Sequence, residues 1–264
     1  MIARLPLIFI VLLFGGCARA QSPGSTSQPA AATSQPASTP IYRAGRAATA
    51  PSIDGKLDDA AWSRAQWTSD LVNILGADHP APPWRTRCRM LWDDAHLYMA
   101  VELLDGDVRA AMRNNGDPLF KENCFELFVD PDGDGRDYWE IEINALATTW
   151  DLCMSRPYRS GGRPIKGKRL KNLRAAVNVQ GTINDASDTD RGWTIEMAIP
   201  FSDLGVTSPR PPRGPPPRPG DTWRVNLARI HYTNRIPQFS SWAVMGEENY
   251  HRPEKFGWVQ FTDD

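Results

Sequence analysis

The chain spaces its apolar residues two apart, and this alternation points to a sheet and away from a bundle of helices. The runs 87–92, 97–103, 124–129, 139–144, 193–199 and 223–230 are short, rich in aromatic and β-branched residues, and separated by Gly, Pro, Asp or Asn. Successive side chains of an extended strand point to opposite faces, so each run can give one face to a core. Residues 41–264 hold ten or so such runs, enough for one sizeable all-β domain, an antiparallel β-sandwich. Residues 57–65 can supply at most a turn or two of helix beside it.

The stretch before residue 41 reads differently. Arg4 precedes an apolar run, residues 5–14, that is too short to span a bilayer and ends in Gly15-Gly16-Cys17. Residues 1–17 are therefore expected to be an export signal. The sequence LFGGC resembles a bacterial lipobox, in which Cys17 becomes the acylated N-terminus; the alternative is a plain secretory signal with an incidental cysteine. Residues 18–40 form a Ser/Pro/Gln/Ala linker, and from 21 to 40 it has no charged or aromatic residue to offset the entropy cost of ordering. The expected location is the cell envelope, with the domain held off the membrane by a lipid anchor and a stalk.

Charge and cysteine content narrow the chemistry. With 30 basic and 31 acidic residues the formal net charge is −1, which argues against a nucleic-acid partner. Cys88, Cys124 and Cys153 are an odd set inside strand-like runs, so buried free thiols are favoured over a bridge, and no histidine stands in a suggestive relation to one. The segment 208–220, SPRPPRGPPPRPG, cannot join a sheet ladder and reads as a stiff surface loop.

Two runs alternate in a way that suggests a site. Phe125, Leu127 and Val129 share one face, with Cys124, Glu126 and Phe128 on the other; Trp139, Ile141 and Ile143 oppose Glu140, Glu142 and Asn144. The polar row lines a cleft or forms a solvated sheet face. A buried carboxylate in that company needs a partner. Glu126 and Glu142 also raise the alternative of a glycan hydrolase with paired carboxylates. Met90, Met112, His231 and Met245 raise that of a haem-binding sandwich, although methionine in strands more often fills core. Asp130, Asp132 and Asp134 imitate the start of a calcium loop, but Ile141 stands where a bidentate glutamate belongs, so DPDGDG is expected to be a turn. His79, His96, His231 and His251 show no zinc-ligand spacing.

Six ordered stretches, IDGKLDDAAW, LWDDAHLYMAVELLD, FELFVDPDGDG, WTIEMAIPFSDLG, WRVNLARI and HRPEKFG, together resemble a family 9 carbohydrate-binding module over residues 51–261. The resemblance implies two packed sheets in a jelly-roll-like arrangement and non-catalytic binding of an oligo- or polysaccharide, with a glycoside hydrolase as a possible partner. No cofactor is expected; members of the family carry structural calcium, so the resemblance leaves room for such an ion, with ligands it does not name. It places the sugar between two aromatic rings, at Phe120, six residues before Glu126, and at Tyr250, six before Phe256. Glu126 matches the ligand-bonding glutamate of the family and Asn144 its asparagine. Glu142 stands where the family has an arginine, so an always-charged donor has become an acceptor. Either another arginine, such as Arg113 or Arg156, supplies the donors, or the ligand is not the glucose-type end of the best-known members.

Overall fold

The computed structural model describes residues 39–205 and 215–264. Cys17, the 1–17 signal, the linker up to residue 38 and most of the proline-rich loop lie outside the described residues. The strands are β1 (Ile41–Arg46), β2 (Val72–Asn73), β3 (Thr86–Trp92), β4 (His96–Leu104), β5 (Cys124–Asp130), β6 (Tyr138–Ile143), β7 (Thr149–Met154), β8 (Arg174–Gln180), β9 (Gly192–Pro200), β10 (Thr222–Thr233), β11 (Ile236–Ser241) and β12 (Gly257–Phe261). Helical structure among the described residues is confined to single 3₁₀ turns, one of them Ala60–Arg64, within the stretch expected to hold a turn or two.

The sheet runs β7-β6-β5-β10-β12-β1-β3-β4-β9-β8 and curls so that its two halves face each other. Strand β1 joins them. Its residues Ile41 to Ala44 pair with Trp258 to Phe261 of β12, and Gly45 and Arg46 then pair with Leu91 and Trp92 of β3. A side chain at Gly45 would collide with the backbone carbonyl of Asp264, so the switch from one half to the other falls on the residue that has none. Both β1 pairings are parallel, a departure from the purely antiparallel sandwich expected from the alternation; the other named pairings are antiparallel. Alternation specifies which face is buried, not which way a neighbour runs.

Between the halves lies the main core. Phe125, Leu127, Val129, Trp139, Ile141 and Ile143 enter it from one side, as their alternation predicts, and Met90, Met99, Val101, Ile195 and Met197 from the other. The three described cysteines are buried free thiols, and loss of water pushes Cys153 up to about 12 and the other two well above their ordinary value.

The outer faces are covered as well, which is why every residue of β5, β6 and β9 is buried. Over β9 lies the segment IDGKLDDAAW. Trp62 is fully buried there, and its Nε1 donates to Glu196 Oε1 at 2.7 Å. Glu196 Oε2 accepts from the backbone amides of Asp54 and Gly55 at 3.0 and 2.9 Å. Gly55 has φ +87°, and a Cβ would press on the Val177 backbone at 2.6 Å. Over β5 and β6 a different cover leaves an opening.

Candidate functional site

Register builds the site. Across β10, β5, β6 and β7, Ala228, Glu126, Glu142 and Trp150 form one row of direct neighbours, and Asn226, Phe128, Glu140 and Leu152 form the next. Their side chains share the outer face, because each row sits one residue out of phase with the core set. This face floors a cleft of about 390 Å³.

Its walls are aromatic. Phe120 is 41% exposed and lies over Trp150, ring centroids 5.0 Å apart and planes 35° apart. Tyr158, 48% exposed, meets His251 edge-on at 4.6 Å. Tyr250 also lines the cleft but is only 7% exposed, with its ring against Phe128 and Phe239 and its hydroxyl 3.0 and 3.1 Å from the carbonyls of Arg229 and Ser240. Of the two rings named from sequence, Phe120 presents a surface and Tyr250 is largely wall. Trp150 and Tyr158 were missed: WDLCM reads as an ordinary strand, and only the Glu142–Trp150 register reveals what its tryptophan faces.

Three glutamates form the polar floor. Glu126 and Glu142 are each 1% exposed and Glu140 6%. Glu126 Oε1 accepts only a weak bond from Cys124 Sγ at 3.7 Å, and Glu142 Oε2 has no hydrogen-bond partner. Loss of water, then mutual repulsion, raises these groups: Glu140 to about 7 by burial, Glu142 to about 11 by burial and the Glu126 and Glu140 charges, and Glu126 well above the usual carboxylate range. His251 Nε2 lies 3.6 Å from Glu140, but burial lowers the imidazole to about 4, so at neutral pH it is uncharged and no ion pair forms.

The remaining residues named from sequence fall elsewhere. Asn144 Nδ2 donates to Met112 O and Glu122 Oε1 at 2.8 and 2.7 Å, and its Oδ1 accepts from the amides of Leu146 and Thr148 at 3.0 Å. That closes the β6–β7 turn and leaves it off the cleft wall. Arg113 is exposed away from the cleft, and Arg156 lines a separate depression beside Gly133 and Glu254. Among the described residues, no lysine or arginine lines the glutamate cleft. Lys121 stands at the rim, 5.7 Å from the Phe120 ring.

The alternatives can be judged by position. Glu126 and Glu142 face each other directly, and burial favours the neutral form of both, whereas paired-carboxylate hydrolysis needs one of the two ionised. Met90 is in the intersheet core and Met245 in a different apolar cluster, while His231 Nδ1 lies 3.6 Å from Asp105. The DPDGDG segment is a turn, with Asp130 accepting from the amides of Gly133 and Gly135 at 3.0 and 2.9 Å. The carboxylates of Asp130, Asp132 and Asp134 also come within 4.8 Å of one another, and Asp132 Oδ1 is buried without a partner. An all-oxygen set of this kind suits calcium, and these three would hold it.

Raised carboxyls make stability depend on pH, and the sign follows from proton uptake. The folded state binds protons that the unfolded state has released, so this stabilisation is complete below the ordinary glutamate value of about 4.5 and is lost as pH rises through the folded values. The unliganded domain is expected to be less stable at pH 8 than at pH 5.5, with Glu140 titrating near 7 within that window. Glu142→Gln is expected to raise stability at pH 8 by about 1–2 kcal/mol and to flatten the profile. Urea titrations at the two pH values check this; an unchanged slope would remove Glu142 as a cause.

A family model described as carbohydrate family 9 binding domain-like matches residues 53–264. Among solved structures, a Bacteroides uniformis protein superposes with a TM-score of 0.64 at 19% identity, over 85% of this chain and all of that one. A family 9 carbohydrate-binding module from Caldicellulosiruptor kristjanssonii, solved with cellotriose and with glucose, gives 0.58 at 14% identity over 85% of this chain; 94% of that module is covered in the cellotriose complex and 96% in the glucose complex. By sequence, exoglucanase XynX of Acetivibrio thermocellus is 25% identical over 154 residues, which are 58% of this chain and 12% of that enzyme. Endo-1,4-beta-xylanase A of Thermoanaerobacterium saccharolyticum is 26% identical over 154 residues, 11% of its length.

Proposed function

Because the chain belongs to the carbohydrate family 9 binding domain-like family, and is thus a binding module rather than an enzyme, we propose that the cleft over β5, β6 and β7 is its sugar site. The observation that carries this reading is the row Glu126, Glu142, Trp150 under the exposed face of Phe120. Aromatic faces bury the apolar C–H side of a pyranose, and carboxyls bond its hydroxyls. Phe120, Trp150 and Tyr158 grip the ring while Glu126, Glu140 and Glu142 orient it. The ligand is an oligo- or polysaccharide, in keeping with the cellotriose and glucose complexes of the related module. Acylated at Cys17, the domain captures glycan at the cell envelope for a partner glycoside hydrolase. Intact mass of membrane-extracted protein tests the anchor: a mature chain that begins beyond Cys17 without lipid mass rejects it.

Ring truncation tests the site. Phe120→Ala and Trp150→Ala are each expected to weaken glycan binding by about 1–2 kcal/mol, roughly five- to thirtyfold, with little change in the Phe120→Ala melting temperature. Tyr250→Ala, by contrast, removes a buried ring and is expected to cost mainly stability. Calorimetric titration against cello-, xylo- and chito-oligosaccharides, beside a melt of each variant, decides it. Unaltered binding in both cleft variants would place the sugar elsewhere.

A further inference from the structure

Resting on that reading, we propose that the cleft is selective for an amino sugar, a pyranose that carries a free, protonated amine, as in a glucosamine oligomer. The charge inventory of the cleft supports this. Glu126, Glu140, Glu142 and the exposed Glu248 line it, and among the described residues no lysine or arginine does. The cations nearby are committed or peripheral: Arg159 and Arg252 pair with Glu247 and Glu254, and Lys121 lies at the rim against Phe120. Of the other titratable groups facing the floor, Cys124, Tyr138, Tyr158 and Tyr250 are ordinarily neutral at pH 7 and are shifted further that way, and burial lowers His251 to about 4, so none of them carries charge.

Among the described residues the fold thus gathers carboxyls and supplies no counter-charge in the cleft. Glu142 Oε2, buried and without a hydrogen-bond partner, is the atom most in need of one. A neutral hydroxyl would give it a hydrogen bond; an ammonium gives up to three donors and the missing charge. The faces of Trp150, Phe120 and Tyr158 favour a cation by the same quadrupole that favours C–H groups. A bare metal ion fits less well. Among the described residues, the three acidic groups whose oxygens all converge within 4.8 Å are Asp130, Asp132 and Asp134, so the three floor glutamates do not close together on one ion. An amine carried on a ring that fills the cleft needs only one or two of them. Its arrival displaces carboxyl protons to solvent, so affinity is expected to rise with pH until the amine itself begins to lose its proton, near 8 by analogy with an α-amino group.

The test uses the full chain and three trisaccharides of matched size at pH 6.5: glucosamine trimer, N-acetylglucosamine trimer and cellotriose. Acetylation removes the charge and keeps the skeleton. The glucosamine trimer is expected to bind about tenfold more tightly than either neutral one, with the advantage shrinking in 0.5 M salt. Glu142→Gln is expected to abolish that advantage while its melting temperature holds or rises. Equal or tighter binding of a neutral trimer overturns the amine selectivity and leaves the sugar site standing. Preference for the glucosamine trimer that survives replacement of Glu126, Glu140, Glu142 and Glu248 by Gln together also overturns it, as charge attraction outside the cleft. Absence of binding to all three overturns both readings.

Discussion

Asp105→Ala is expected to lower the free energy of unfolding by about 3–5 kcal/mol, the effect of removing one partner from a buried ion pair. Arg229 and Asp105 are 2% and 1% exposed, and the guanidinium Nη2 donates to Asp105 Oδ2 at 2.7 Å. Nη1 donates to Thr86 Oγ1 and to the Leu104 carbonyl at 3.1 and 2.8 Å, so one arginine of β10 ties itself to β3 and the end of β4. Burial already lowers the arginine's proton affinity, and without Asp105 the bonds to Thr86 and Leu104 remain but no opposite charge offsets the cost of a charge held out of water. The pair itself is not the source of the stability; the uncompensated charge is the source of the loss. Asp105→Leu combined with Arg229→Met is therefore expected to cost less than Asp105→Ala alone. Urea denaturation of the three proteins checks the order, and a single-variant loss below about 1 kcal/mol would contradict it.

Trp62→Ala is expected to cost a similar 3–5 kcal/mol, for a different reason. The indole fills the space between the 53–65 cover and β9, packing with Leu91, Tyr98, Ala100 and Ala198. Its removal opens a cavity and strips Glu196 Oε1 of its donor in one step. Trp62→Phe, which keeps most of the volume, isolates the second contribution at about 1–3 kcal/mol. Sugar affinity should not change in either variant, because Trp62 covers the half of the sheet that does not bear the cleft. A Trp62→Ala protein that melts normally would mean the cover is dispensable.

These two sites show where sequence reasoning ran out. The strands and the inward faces of β5 and β6 were legible because period-two alternation is local: Phe125, Leu127 and Val129 declare their face without reference to any other strand. Strand β8 was passed over because an edge strand with half-buried residues carries a weak signal. Glu196 and Arg229 were invisible as buried polar residues, since their partners, Trp62 and Asp105, lie 134 and 124 positions away. The site was half legible. Glu126, Glu142 and Phe120 came from the sequence, but Trp150 depends on a register set by the Asn144 turn, and Tyr250 differs from a free platform only through the bonds its hydroxyl makes to two carbonyls.

The two parallel pairings of β1 have a mechanical meaning. Tension transmitted from the chain preceding residue 41 enters at Ile41 and runs along the strand. There it meets the ladder to Trp258–Phe261 on one side and the contacts to Leu91 and Trp92 on the other. Ladder bonds cross from a strand to its neighbours, so a pull along β1 shears them together instead of unzipping them one after another. A pull entering at Ile41 therefore loads β12 first and β3 after it, and is shared between the two halves of the sheet.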